Sequence, residues 1–206
     1  MPVRVKICGI TNTGDAVAAV DAGAEALGFM FFENSKRNMP PAVVSEIIRE
    51  LPPFVSKVGV FVNASEDFVR EVIDATRIDT LQFHGEESAG FCGKFPLKAI
   101  KAFRIRNRDS LGECLNYQNH AWLLDSYVEG AQGGTGVAFD WEVATEATKF
   151  SRMVVLAGGL KVETVADAVR RVRPFAVDVS SGVESAPGKK DHGRLREFVA
   201  AAKSVK

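Results

Sequence analysis

The chain has 206 residues, enough for one large domain or two small ones, and 46% of them are hydrophobic, ample for a buried core. Lysine plus arginine balances aspartate plus glutamate at 26 each, so no net field recruits nucleic acid or an anionic membrane, and any anion has to be bound locally. The opening MPVRVKICGIT lacks the apolar stretch of a secretory signal, no apolar run approaches about 18 residues, and Cys8, Cys92 and Cys114 share no CxxC spacing, which together predict a soluble cytoplasmic protein with free thiols and neither a disulfide framework nor a zinc site.

Strand-length apolar runs alternate with helical periodicities along the chain. A strand from Val3 to Cys8 is followed by a helix over Thr13 to Ala22, a strand over Ala26 to Phe31 by a helix over Pro41 to Leu51, and a strand over Val55 to Val62 by a helix over Ser65 to Thr76. The fourth strand, Thr80 to His84, leads into Glu86 to Phe91, which makes barely two helical turns. Then come Leu97 to Phe103 with a helix over Leu111 to Tyr117, and Ala121 to Asp125 with Trp141 to Lys149. The last two pairs are Met153 to Ala157 with Val162 to Arg171, and Phe175 to Val179 with Arg194 to Lys203.

Strand then helix, repeated eight times without a hairpin signal, implies parallel strands joined by crossovers, and no Pro/Gly/Ser-rich linker divides the chain. The predicted fold is α/β, a single-domain (β/α)8 TIM barrel over residues 1–206, compact against the roughly 250 residues typical of that fold. A six-stranded doubly wound sheet with two runs misassigned is the structural alternative.

Side chains alternate along a strand, so Arg4, Lys6 and Cys8 share one face and Val3, Val5 and Ile7 the other, which should meet the helices. The same alternation puts Gln82 with His84, Leu123 with Asp125, and Ala176 with Asp178 and Ser180 on the inner face. Cys8, His84, Asp125 and Ser180 then fall at the C-terminal ends of their strands, the rim where barrel enzymes hold their chemistry. One layer deeper, Lys6 and Asp178 can neutralise each other, and Lys6 would favour a Cys8 thiolate. A lone cysteine there is more often a small buried hydrophobe, and a lone histidine a hydrogen-bonded structural one.

Two small-residue turns, VVLAGGL at Val154 to Leu160 and AVDVSSG at Ala176 to Gly182, each follow an apolar run and open a helical pattern. Gly158, Gly159, Ser180, Ser181 and Gly182 would let bare backbone N–H groups approach a phosphate, aided by a helix N-terminus, at the usual phosphate position of such barrels. The glycine-dense stretch Gly130 to Trp141 is a candidate lid. The polar loop Asn34 to Asn38 is either a solvated turn or, if Arg37 faces inward, a bidentate carboxylate clamp.

A phosphate cup, a cysteine, a rim aspartate and no metal-ligand cluster describe acid–base work on a phosphorylated small molecule, an isomerisation without metal or cofactor. The chain resembles the phosphoribosylanthranilate isomerase family of tryptophan biosynthesis. The resemblance rests on VKICGIT at Val5 to Thr11, QFHGEE at Gln82 to Glu87, LLDS at Leu123 to Ser126, GGTGVAFDW at Gly133 to Trp141, LAGGL at Leu156 to Leu160, VDVSSGVE at Val177 to Glu184 and PGKKD at Pro187 to Asp191. It implies an eight-stranded β/α barrel catalysing an Amadori rearrangement, with Asp125 as general acid, Cys8 as general base, Arg37 on the substrate carboxylate and the two glycine turns on the phosphate. Lys36 and Asn38-Met39 depart from the family's usual pattern around Arg37, as does Lys189 in PGKKD. A monomer or homodimer is expected. Two other readings fit less well: the indole-glycerol-phosphate synthase type, which looks to a rim lysine and glutamate, and a silent phosphosugar-binding regulator, which has no use for a thiol opposite an acid.

Overall fold

A computed structural model describes residues 2–117, 121–126, 141–151 and 153–205. Eight parallel strands close into a barrel: β1 (Arg4–Cys8), β2 (Ala26–Met30), β3 (Ser56–Phe61), β4 (Thr80–Phe83), β5 (Lys98–Ile105), β6 (Ala121–Ser126), β7 (Val154–Leu156) and β8 (Ala176–Val179), with β8 pairing back onto β1. This excludes the doubly wound alternative, whose sheet has open edges. Around the ring lie α1 (Thr13–Asp21), α2 (Pro41–Arg49), α3 (Glu66–Thr76), α4 (Ala89–Cys92), α5 (Leu111–Cys114), α6 (Trp141–Phe150), α7 (Val162–Val172) and α8 (His192–Lys203).

The expected two-sided pattern holds. Val5 and Ile7, both fully buried, pack into the large cluster shared with helix residues such as Val165 and Leu195, while Cys8 packs inside the barrel with Val58 and Val60. On β6, Leu123 joins the interior with Val155 and Ala176, whereas its neighbour Leu124 joins the helix layer. Register does the rest: Lys6 lies opposite Asp178, Cys8 opposite Gly28, and Arg104 opposite Asp125.

Side-chain caps set several helix starts. Asn12 accepts from Asp15 N ahead of α1, Ser65 from Phe68 N ahead of α3, and Asp191 from Gly193 N and Arg194 N ahead of α8, which begins two residues before the periodicity suggested.

Three sequence expectations need correction. The helix after β4 is the single turn Ala89–Cys92, because Glu87 turns its buried carboxylate back to accept from Asn63 N at 2.7 Å and Gly85 N at 2.9 Å, holding residues 85–87 as loop. The segment Leu111 to Tyr117 is α-helical only over Leu111–Cys114, with 3₁₀ turns on either side, and the carbonyl of Tyr117 accepts from Trp122 Nε1 at 3.0 Å. After β8 comes not a helix but a 3₁₀ turn, Ser181–Val183, and then an antiparallel hairpin of β9 (Glu184–Ala186) and β10 (Lys189–Lys190). Its two-residue turn is Pro187-Gly188, with Gly188 at φ 80°, the left-handed conformation that glycine adopts without a Cβ clash.

Candidate active site

A cavity of about 550 Å³ opens at the C-terminal ends of the strands, a size usual for small-molecule sites. Cys8, His84, Asp125, Asp178, Ser180, Ser181, Gly182, Gly158, Gly159 and Arg37 all line it. Lys6 alone of the expected site residues sits beneath it. Because β1 and β6 are separated by two strands on one side of the ring and four on the other, Cys8 and Asp125 face the cavity from nearly opposite walls. The lid expected at Gly130 to Trp141 lies, but for Trp141, outside the described residues.

Cys8 ends β1 where the chain turns through Gly9 at φ 75°, with Gly9 N and Ile10 N both donating to Gly28 O. Space for the sulfur comes from Gly28, since a Cβ there would stand 2.8 Å from Sγ and 3.1 Å from Lys6 Nζ. Below it, the Lys6 ammonium meets Asp178 Oδ1 at 2.8 Å, a buried pair as the strand register requires. Lys6 keeps its proton: burial works against it, but Asp178 and Cys8 push its pKa up. Lys6 favours a Cys8 thiolate as expected, but burial outweighs it. Burial pushes the thiol up, Asp178 adds to the rise, and Lys6 and Lys190 oppose it without winning.

Asp125 ends β6 with Oδ2 at 3.3 Å from His84 Nε2, and His84 Nδ1 lies 3.0 Å from Gln82 Nε2. Gln82 Oε1, on the same amide, is buried without a hydrogen-bond partner among the described residues. The two ends of this chain are coupled. With Asp125 ionised, His84 Nε2–H donates to it and Nδ1 accepts from the Gln82 amide N–H. With Asp125 protonated, Nε2 accepts, the ring proton moves to Nδ1, and a half-turn of the amide brings Oε1 round to receive it.

The two glycine turns line the same cavity. Gly158 and Gly159 both have positive φ, 79° and 67°, just before α7, whose N-terminus brings partial positive charge. Gly182 presses against the other turn, since a Cβ there would stand 2.1 Å from Leu160 O, which is backbone and has no free rotation to escape. Ser180 Oγ is buried without a hydrogen-bond partner among the described residues. Gly182→Ala is therefore expected to force the two turns apart and, by distorting the cavity wall, to lower kcat/KM about 10²-fold, read by steady-state kinetics. An unchanged kcat/KM would show that the substrate sits elsewhere.

Arg37 lines the cavity, with its side chain turned inward rather than into solvent. Its stem crosses directly over Gly9, where a Cβ would lie 2.4 Å from Arg37 Cδ. The guanidinium is already engaged: Nε donates to Glu184 Oε1 at 2.8 Å and Nη2 to Oε2 at 2.6 Å. Burial alone would raise the Glu184 carboxyl, but the Arg37 fork and Lys190 hold it below the ordinary range. In the sequence Glu184 and Lys190 stand only as members of VDVSSGVE and PGKKD. The available signal was a charged pair around a Pro-Gly turn, next to the phosphate loop.

A family model described as N-(5'-phosphoribosyl)anthranilate (PRA) isomerase matches residues 5–201. The N-(5'-phosphoribosyl)anthranilate isomerase of Geobacter sp. (strain M21) is 52% identical over 202 residues, covering 98% of both chains. A crystal structure of phosphoribosyl anthranilate isomerase in complex with reduced 1-(o-carboxyphenylamino)-1-deoxyribulose 5-phosphate superposes with a TM-score of 0.90 at 43% identity, covering 98% of this chain and all of that one. The structure of monomers made from the dimeric phosphoribosylanthranilate isomerase of Thermotoga maritima superposes with a TM-score of 0.89 at 41% identity, again over 98% of this chain and 100% of the other. With barrel, cavity and full-length identity in agreement, the chain belongs to the N-(5'-phosphoribosyl)anthranilate isomerase family.

Proposed function

We propose that Cys8 and Asp125 carry out, as base and acid, the conversion of N-(5-phosphoribosyl)anthranilate to 1-(2-carboxyphenylamino)-1-deoxyribulose 5-phosphate, the Amadori rearrangement that is the third step from chorismate to tryptophan. The observation that carries this assignment is the thiol and the carboxyl lining one cavity from facing walls, with glycine turns beside them. Asp125 gives its proton to the furanose ring oxygen, whose bond to the first sugar carbon breaks as the anilino nitrogen lone pair forms an iminium. Cys8 takes the proton from the second carbon, whose C–H the iminium has acidified, and the electron pair left behind makes an enolamine. Tautomerisation of the enolamine to the ketone completes the rearrangement.

The other residues hold the reactants. Gly158, Gly159, Ser180, Ser181 and Gly182 bind the phosphate through main-chain N–H groups and the Ser180 hydroxyl. Arg37 binds the anthranilate carboxylate. His84, backed by Gln82, orients Asp125 in either protonation state, and Lys6 stabilises the sulfur anion once it forms while Asp178 fixes the Lys6 head group. Of the two ways to place one proton on the pair, only the one with Asp125 protonated and Cys8 a thiolate can react, and the Lys6 charge beside the sulfur lowers the cost of that arrangement.

The test follows the fluorescence of the phosphoribosylated anthranilate, with neither metal nor nucleotide added. Its consumption is expected, and folded protein with no turnover would reject the reading. Parallel assay with the indole-glycerol-phosphate synthase substrate separates that alternative. We also propose a homodimer, which the dimeric Thermotoga maritima relative supports; Phe54, 96% exposed ahead of β3, is apolar surface a second copy would cover. Sedimentation as a single copy would exclude it. The three free cysteines suit a reducing cytoplasm, and among the described residues no helix is long and apolar enough to cross a membrane.

A further inference from the structure

We propose that Glu184 and Lys190 of the β9–β10 hairpin act as a pair of positioning residues for carboxylate recognition, Glu184 aiming Arg37 and Lys190 keeping the cluster positive. The inference rests on the reading of Arg37 as the carboxylate-binding residue.

A guanidinium has two forked edges. Glu184 takes the side-on edge, Nε and Nη2, at 2.8 and 2.6 Å. That leaves Nη1 and the second Nη2 proton as an end-on fork, held in a fixed plane by a side chain that lines the cavity. Bidentate contact of this kind fits a planar carboxylate and costs little ordering when the fork is already aimed.

An arginine neutralised by glutamate is a poor partner for a second anion, and Lys190 removes that difficulty. Its Nζ sits 2.9 Å from Glu184 Oε1, with the side chain fully buried. Burial pulls the Lys190 ammonium down and Glu184 holds it up; with Lys190 protonated, two cations share one carboxylate and Arg37, Lys190 and Glu184 together carry one positive charge for the ligand. The same ammonium donates to Cys8 O at 2.6 Å and Ser180 O at 3.3 Å, so one group touches the strand end carrying the sulfur, the phosphate turn and the partner of Arg37. The hairpin is itself fastened to the rim: Lys190 N donates to Asp15 Oδ2 at 2.8 Å, and Thr11 Oγ1 donates to Gly188 O. A hairpin that merely covered a barrel end would need neither a buried ammonium nor a fork to a cavity-lining arginine.

The experiment compares two probes, reduced 1-(o-carboxyphenylamino)-1-deoxyribulose 5-phosphate and its phenylamino counterpart without the carboxylate. Their Kd ratio reads carboxylate recognition alone. Lys190→Gln keeps a donor toward Cys8 O and Ser180 O but loses the charge, and is expected to cut the ratio about tenfold while the carboxylate-free probe binds within about threefold of the parent. Glu184→Asp keeps the charge but withdraws the fork contact, and the ratio should fall similarly. Arg37→Ala should bring the ratio to about one. If it does not, the reading of Arg37 fails. If Arg37→Ala abolishes the preference while Lys190→Gln and Glu184→Asp preserve it, the positioning role alone is overturned. Should Lys190→Gln bind neither probe, Lys190→Met is scored by the same ratio.

Discussion

Cys8→Ala is expected to lower kcat by about 10²- to 10⁴-fold, the span of a positioned general base, with the carboxylate-bearing product analogue still bound. The fold should survive, because Cys8 packs in a small cluster with Val58 and Val60 inside the barrel and its removal takes away a single sulfur. The pH profile makes the test sharper. Catalysis needs one proton shared between the two groups, placed on Asp125 and absent from Cys8, so kcat/KM falls at high pH when the second proton leaves the pair. Burial pushes the thiol up against the opposing Lys6 charge, which puts that falling limb above the ordinary thiol range near about 8.5. Activity therefore persists into alkaline solution and then declines. A Cys8→Ala enzyme with the same kcat, or with the same alkaline limb, would remove the sulfur from the mechanism.

Asp125→Asn should cost as much or more, since ring opening precedes any chemistry at the second carbon. Asparagine keeps the shape of the side chain and a hydrogen bond to His84, but has no acidic proton for the ring oxygen. A loss of about 10²- to 10⁴-fold in kcat, with KM nearly unchanged, is the signature of an interaction made in the transition state alone. A rise in KM at constant kcat would instead assign Asp125 to substrate binding. The two variants should be far from additive when combined, because an enzyme that cannot open the ring gains nothing from its base.

Much of the barrel was legible from residue patterns, for a physical reason. Strands covered by helices on one side and packed interior on the other must be apolar in runs, so Ala26–Met30 and Val154–Leu156 stand out from their surroundings. Alternation then identified the inner residues, including the Lys6–Asp178 pair, whose register contact needs only that β8 closes on β1. What remained hidden depends on distant partners. Glu87 shortens α4 by reaching back to Asn63, 24 positions away in the chain, and no local periodicity encodes that bond. Arg37 and Glu184 are separated by 147 positions and meet because β2 and β8 each adjoin β1. Gly28 makes the room for the sulfur, a close approach that nothing in its local sequence encodes. Pro187-Gly188 was a readable turn signal, and the eightfold strand–helix rhythm masked it.

The burial that pushes the Cys8 thiol up also bears on durability. Peroxides and alkylating agents attack the thiolate far faster than the thiol, so a sulfur whose pKa burial pushes up is modified more slowly than an exposed one. A bound inert ligand that covers the sulfur in the cavity would slow such damage further and extend the enzyme's working lifetime.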